Sequence, residues 1–252
     1  MENDYEKAVK LFMVFDILGD TERRGPKLWQ VERTRIEDVK NHVLDLMLIT
    51  RLLKKYFPKN INYNKLNDYI LCHDLPEALT GDITKFEGIS ESKIKEVTNI
   101  AIDYLIEQFD GVIELEKILK NYESKVDLES KIVNMIDKVH AATTFLKYQC
   151  EQNIDMSNPK IIPELKNNKF VKEKIKEGKD LGDILYEFHI KSVNIDDEEL
   201  EKYKITRQVA NKITNAIKAF AEEVYNQKKK GTLLNESKKF PVKAMKYKIS
   251  QN

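Results

Sequence analysis

The chain has 252 residues, with 43 Lys and Arg against 42 Asp and Glu and a formal net charge of +1. So balanced a charge gives no overall field for nucleic acid or an anionic membrane, and no run of about 18 apolar residues could span a bilayer. Eight glycines and six prolines disfavour turn-rich sandwiches and barrels, and two cysteines, Cys72 and Cys150, are too few for a disulfide framework or a zinc–thiolate site.

The N-terminus, Met1 to Lys7, has no basic-plus-apolar signal region, so a cytoplasmic location is the default expectation. Residues 5–18 carry an apolar helical stripe (Ala8, Val9, Leu11, Phe12, Phe15, Leu18) that Gly19 and Asp20 end. A charged, aperiodic connection from Asp20 to Arg35 holds Arg23, Arg24, Arg33, Arg35 and the only tryptophan, Trp29. Residues 36–57 form a strong helical pattern with Val39, Val43, Leu46, Ile49 and Leu53 on one face, and His42 shares that face. A lone histidine there is more often a packed core residue than a ligand.

Asn64 is the expected cap of the next helix, in which Leu66, Tyr69, Ile70 and His73 share a face. Pro76 ends or kinks that helix, and Gly81 allows a turn before Asp82. Ser90 reads as a further cap, followed by Ile94, Val97, Ala101, Tyr104 and Leu105. A helical pattern then runs from about Lys125 to Gln152, and Asp137 lies inside its apolar centre. A carboxylate buried there must be paired or on a metal; a salt bridge to Lys138 is the plainer alternative. Residues 154–180 read as a surface helix and loops, and two more helices are predicted over 181–191 and about 197–229. Residues 226–252 hold eight lysines and one acid, the pattern of a solvated tail.

Chemistry concentrates in Leu71-Cys72-His73-Asp74-Leu75-Pro76-Glu77-Ala78-Leu79-Thr80-Gly81-Asp82. On a helix, His73 and Glu77 fall on one face. His42, His73, Asp74 and Asp137 sit on three predicted helices, each on or next to the apolar face, and packed helices can join such residues in one metal site. Two imidazoles and two carboxylates suit one divalent ion, among Co, Mn, Mg, Ni, Fe and Zn, better than a thiolate-seeking one.

This pattern resembles the HD-domain metal-dependent phosphohydrolases, whose signature is a helix-borne His, an adjacent His-Asp and a distant Asp. His42, His73-Asp74 and Asp137 match it in order and spacing. Glu77 and Thr80-Gly81-Asp82, with the lead-in from Trp29 to His42, resemble the branch of the bacterial 5′-deoxynucleotidases. The resemblance covers roughly residues 20 to 150 and implies an all-α HD-domain helical bundle with additional C-terminal helices. The expected organisation is one domain over 1–225, with a core of about 20–155 and an extension over 156–225, followed by the basic tail 226–252.

By that resemblance His42, His73, Asp74 and Asp137 hold the metal, and Glu77 transfers protons through metal-bound water. Asp82 then lies near the sugar or the attacked phosphate, and Trp29 shapes a nucleotide pocket. Leu28 stands where the family has an arginine, so Arg24, Arg33 or Arg35 is expected to meet the phosphate. Asn41 replaces an acidic residue usual before the first histidine. Each of these residues also has a plainer reading. Trp29 could be a core aromatic, Asp82 a turn cap, and Arg33 and Arg35 solvated charges. His140 and His189 read as structural or surface residues, and Cys72 as a small core residue. The implied function is phosphate removal from a (deoxy)nucleoside 5′-monophosphate. The alternatives are an HD-type hydrolase of nucleoside triphosphates or alarmone, and a non-catalytic helical regulatory or nucleic-acid-binding module. A small-molecule nucleotide is the expected partner, membrane and nucleic acid are disfavoured, and a homodimer is left open.

Overall fold

The computed structural model describes residues 3–28, 36–84, 87–109, 111–151 and 168–233. Among them the regular structure is helical, and the single extended pairing is an isolated antiparallel bridge between Glu22 and Asp38. Helix α1 (Asp4–Ile17) opens on a capping box in which the Asn3 side chain accepts from Glu6 N–H and the Glu6 carboxylate accepts from Asn3 N–H. Only part of its expected stripe is used. Leu11, Val14 and Phe15 reach the core while Val9 and Phe12 face solvent, because α1 lies along the outside of the molecule.

After the short α2 (Arg24–Leu28), α3 spans Val39–Leu53 and ends in a 3-10 turn, Lys54–Tyr56. It starts later than the apolar pattern because Asp38 is extended, and its carboxylate accepts from Asn41 N–H at 2.7 Å. Helix α4 (Tyr63–Cys72) is capped by Asn62, whose side chain accepts from Lys65 N–H at 3.2 Å; Asn64, the expected cap, lies inside the helix. The backbone leaves α4 after Cys72, and α5 (Glu77–Thr80) follows Pro76 and ends at Gly81, where φ is 72°. Helix α6 (Glu91–Phe109) begins where Ser90 Oγ accepts from Lys93 N–H.

Helix α7 (Leu115–Glu123) was not anticipated in the sequence; it buries Leu115, Leu119 and Tyr122. Lys125, at φ 49°, stops the chain between α7 and α8 (Leu128–Glu151), so α8 begins later than about residue 125. Helices α9 (Lys169–Lys176) and α10 (Leu181–Ile190) lead to α11 (Asp197–Tyr203) and α12 (Arg207–Lys229). The span 197–229 is thus two helices rather than one. Lys204 turns left-handed at φ 53°, and Thr206 starts a new helix by accepting from Val209 N–H. Helix α12 continues through the first residues of the lysine-rich stretch, where Lys228 Nζ lies 2.7 Å from Asp180 Oδ2. Residues 234–252 lie outside the described residues.

Helix α8 is the axis of the bundle, packed against α3, α4, α10 and α12. Ile132, Met135, Ile136 and Val139 are fully buried on it; each contributes about 1.5–3 kcal/mol by leaving water. Two apolar clusters divide the core. Val43, Leu46, Ile70 and the α8 face belong to the larger; Val39, Cys72, Leu75 and residues of α6 and α7 form the smaller. His42 lies between Val39 and Val43, and His73-Asp74 between Ile70 and Leu75, so both fall at the seam.

Candidate metal centre

Three helices bring the polar groups to that seam. On α3, His42 is fully buried, and its Nε2 lies 3.3 Å from Asp137 Oδ1 on α8 and 3.5 Å from Asp74 Oδ2. At the end of α4, His73 N–H donates to Tyr69 C=O at 2.9 Å, and its Nδ1 lies 2.9 Å from Ile70 C=O. A carbonyl can only accept, so Nδ1 carries a proton, and in the neutral ring Nε2 then holds a lone pair. That Nε2 is 3.2 Å from Asp74 Oδ1, and the Tyr122 ring packs edge-on against the imidazole at 5.2 Å. His42, His73 and Asp137 each offer one ligand atom, all within 4.8 Å of one another.

His42 Nε2, His73 Nε2, Asp74 Oδ2 and Glu77 Oε2 are buried with no hydrogen-bond partner. A buried polar atom left so costs about 1–3 kcal/mol, and four in one place point to a missing partner. Three of them, with Asp137, are nitrogen and carboxylate donors of the kind that hold a divalent ion. The residues therefore fit the ion.

Charge is finely divided here. Burial raises the Asp74 carboxyl above the ordinary range, with Asp137 and Asp82 adding to it against His73 and Arg23. Glu77 is raised further, first by burial and then by Asp74 and Asp82. Burial would raise Asp137 as well, but Lys138, with Nζ 2.9 Å from Oδ2, and His42 hold it well below the usual range. His42 is held well below its ordinary value by burial and by Arg23.

A cavity of about 650 Å³ is lined by His73, Asp74, Glu77 and Asp137 and, on its cationic side, by Arg23, Lys125 and Lys138. Arg23 lies 3.6 Å from Asp74 Oδ2 and 3.7 Å from Asp82 Oδ2. Burial pushes the Lys125 ammonium down to about 8; its Nζ donates to Tyr122 C=O at 2.6 Å and sits 3.7 Å from that ring's centre.

Of the residues singled out in the sequence, His42, His73, Asp74, Asp137 and Glu77 come together, although His73 and Glu77 do so from either side of a turn rather than along one helix. Asp82 lines the cavity too, but its Oδ2 is already engaged, accepting from Arg24 N–H at 2.7 Å. Arg24 turns its guanidinium to Glu87. Trp29, Arg33 and Arg35 lie outside the described residues. Lys138 does pair with Asp137, as the plainer reading held, and within the cluster. Cys72 is a core residue, its thiol raised to about 12 by burial. Arg23 and Lys125 were not singled out; nothing local separates them from neighbouring surface charges. His140, read as structural or surface, is buried with Nδ1 2.8 Å from His42 Nδ1.

A family model described as an HD domain matches residues 15–178, well over half of the chain. The chain belongs to the HD-domain family. The matched span contains the His42, His73-Asp74, Glu77 and Asp137 positions of the cluster. A 5′-deoxynucleotidase of Saccharomyces cerevisiae is 30% identical over 122 residues, covering 46% of this chain and 50% of that protein. The HD-domain chain thus spans about half the length of the curated relative it matches. Among solved structures, a conserved hypothetical protein from Pyrococcus furiosus matches with a TM-score of 0.50 and 20% identity, covering 67% of this chain and 97% of that one. That likeness concerns the fold alone. Among the described residues no helix is long and apolar enough to cross a membrane.

Proposed function

We propose that this HD-domain chain is a metal-dependent phosphohydrolase acting on a nucleotide, and that its substrate is a (deoxy)nucleoside 5′-monophosphate. The observation that carries the reading is the group of buried atoms without hydrogen-bond partners on His42, His73, Asp74 and Glu77, the last three of these residues lining a cavity of about 650 Å³. A cavity of that size accepts a nucleotide-sized ligand. The relative named as a 5′-deoxynucleotidase supports the choice of substrate.

His42, His73, Asp74 and Asp137 would hold one divalent ion. Such an ion supplies Lewis acidity, offsetting charge on the phosphoryl group and easing the ionisation of water. Arg23, Lys125 and Lys138 neutralise and orient the phosphate oxygens. A water oxygen attacks phosphorus as the P–O5′ bond breaks; Glu77 Oε2 takes a proton from that water and returns it to O5′ of the departing nucleoside. Inorganic phosphate and the nucleoside leave.

Phosphate release from a panel of deoxy- and ribonucleotides with Co or Mn tests this. Glu77→Gln is expected to lower turnover by about 10²–10⁴-fold while metal uptake persists. A panel that yields no phosphate, or a Glu77→Gln variant with undiminished turnover, contradicts the reading.

A further inference from the structure

Both ring nitrogens of His42 lie against one face of α8. Asp137 lies 3.3 Å from Nε2, and His140, one turn further along, has Nδ1 2.8 Å from Nδ1 of His42. The two rings meet at 60° with centres 4.7 Å apart, and His42 and His140 are 0% and 4% exposed. At 2.8 Å one of the facing nitrogens must donate and the other accept, since two lone pairs or two protons would repel.

The far side of His140 decides which. Its Nε2 lies 3.3 Å from Asp45 Oδ2, 3.4 Å from Glu37 Oε1 and 3.3 Å from Thr144 Oγ1. If His140 Nδ1 were the donor in a neutral ring, Nε2 would turn a lone pair toward two carboxylates. In the neutral ring with its proton on Nε2, the same nitrogen offers a donor to that side, and Nδ1 is left to accept.

We propose that His140 is a positioning residue for His42: it accepts from His42 Nδ1–H and donates Nε2–H to Asp45, with the Glu37 carboxylate beside it, leaving His42 Nε2 a lone pair directed at the Asp74–Asp137 side. The assignment rests on the proposed function: the lone pair it leaves on His42 Nε2 faces Asp137 and Asp74 and is favourable there only with the divalent ion that function requires among them. It involves no net gain or loss of a proton. It explains why a second histidine is buried beside the first, and why Glu37, Asp45 and His140 gather behind a residue whose Nε2 lies beside Asp74 and Asp137. His42 and His73 are then prepared alike, each with Nδ1–H bonded and Nε2 free.

The test is metal binding and ring tautomer in the full chain, not turnover. Zinc titration followed by calorimetry is expected to give an affinity about 10–100-fold weaker in His140→Met. His140→Gln, whose amide oxygen can still accept from Nδ1–H, should stay close to the unsubstituted chain. Nitrogen-15 NMR of the zinc-loaded protein should find the His42 proton on Nδ1. Should His140→Met fail to fold, the double variant Glu37→Gln, Asp45→Asn tests the other end of the relay and is expected to bind zinc more weakly. Unchanged affinity in His140→Met or, where that variant does not fold, in the double variant overturns the proposal, as does a His42 Nδ1 without a proton. A second equivalent of zinc that His140→Gln abolishes would also overturn it, by making His140 a ligand. A chain that binds zinc with this ordering yet hydrolyses no nucleotide fails the functional reading alone; a chain that takes up no zinc fails both.

Discussion

Lys125 combines a left-handed backbone, a buried ammonium and a position on the cavity wall, a set of features that residues at functional sites often share. Burial disfavours its charged form, so it is charged below about 8 and neutral above. If it meets the substrate phosphate, kcat/KM should fall as pH rises past about 8, because that ratio reports the free enzyme. Lys125→Arg, charged throughout, should flatten this alkaline fall, and Lys125→Ala should lower kcat/KM at neutral pH by roughly tenfold or more, the worth of one charge-assisted hydrogen bond. A pH profile of Lys125→Arg that coincides with the unsubstituted enzyme would assign the fall to another group. Lys125 was illegible in the sequence because its role depends on Tyr122 and on the end of α7, whereas His73, Asp74 and Glu77 announce themselves by close spacing. Arg23 and His140 were hidden for a similar reason. Their partners lie elsewhere in the chain, tens of residues away.

At the level of elements, Asp127 fastens the start of α8 to α4. Its Oδ1 accepts from Ser130 N–H at 2.9 Å, and its Oδ2 lies 2.7 Å from both Tyr69 Oη and Lys65 Nζ. Burial alone would raise this carboxyl, but hydrogen bonds from Lys65, Tyr69 and Ser130 hold it below the ordinary value. A depressed folded-state value means that the stabilisation is complete above the ordinary aspartate range and is lost as pH falls through and below it. Asp127→Asn keeps an oxygen that can cap the helix but loses the charge that Lys65 meets, so it should cost about 0.2–1 kcal/mol at neutral pH, measured by denaturant unfolding, with the difference shrinking in acid. An equal loss at pH 7 and in strong acid would deny the carboxylate this role. Helices with long apolar stripes, α3, α6 and α8, were legible because their period repeats over several turns. Helix α7 is nine residues long and carries too few repeats to stand out. The break at Lys204 follows neither glycine nor proline, so the pattern over 197–229 reads as continuous although the backbone turns.

Across the whole molecule, the all-α architecture follows from scarce glycine and proline and from stripes that need one another for burial. The candidate site was legible to the extent that its residues punctuate those stripes with groups too costly to bury singly. Its cationic wall was not, because lysine and arginine on a charged chain look alike until the fold buries some of them. The account's central claim is that His42, His73, Asp74 and Asp137 together take one divalent ion. A ligand that binds only the folded state at 100 times its Kd adds about 2.7 kcal/mol of stability. The direct measurement is a metal titration of the full chain, with stoichiometry and thermal midpoint read together. One equivalent and a raised midpoint are predicted, both lost in His73→Ala and in Asp137→Ala. No uptake, or uptake and stabilisation that survive both substitutions, would contradict the account.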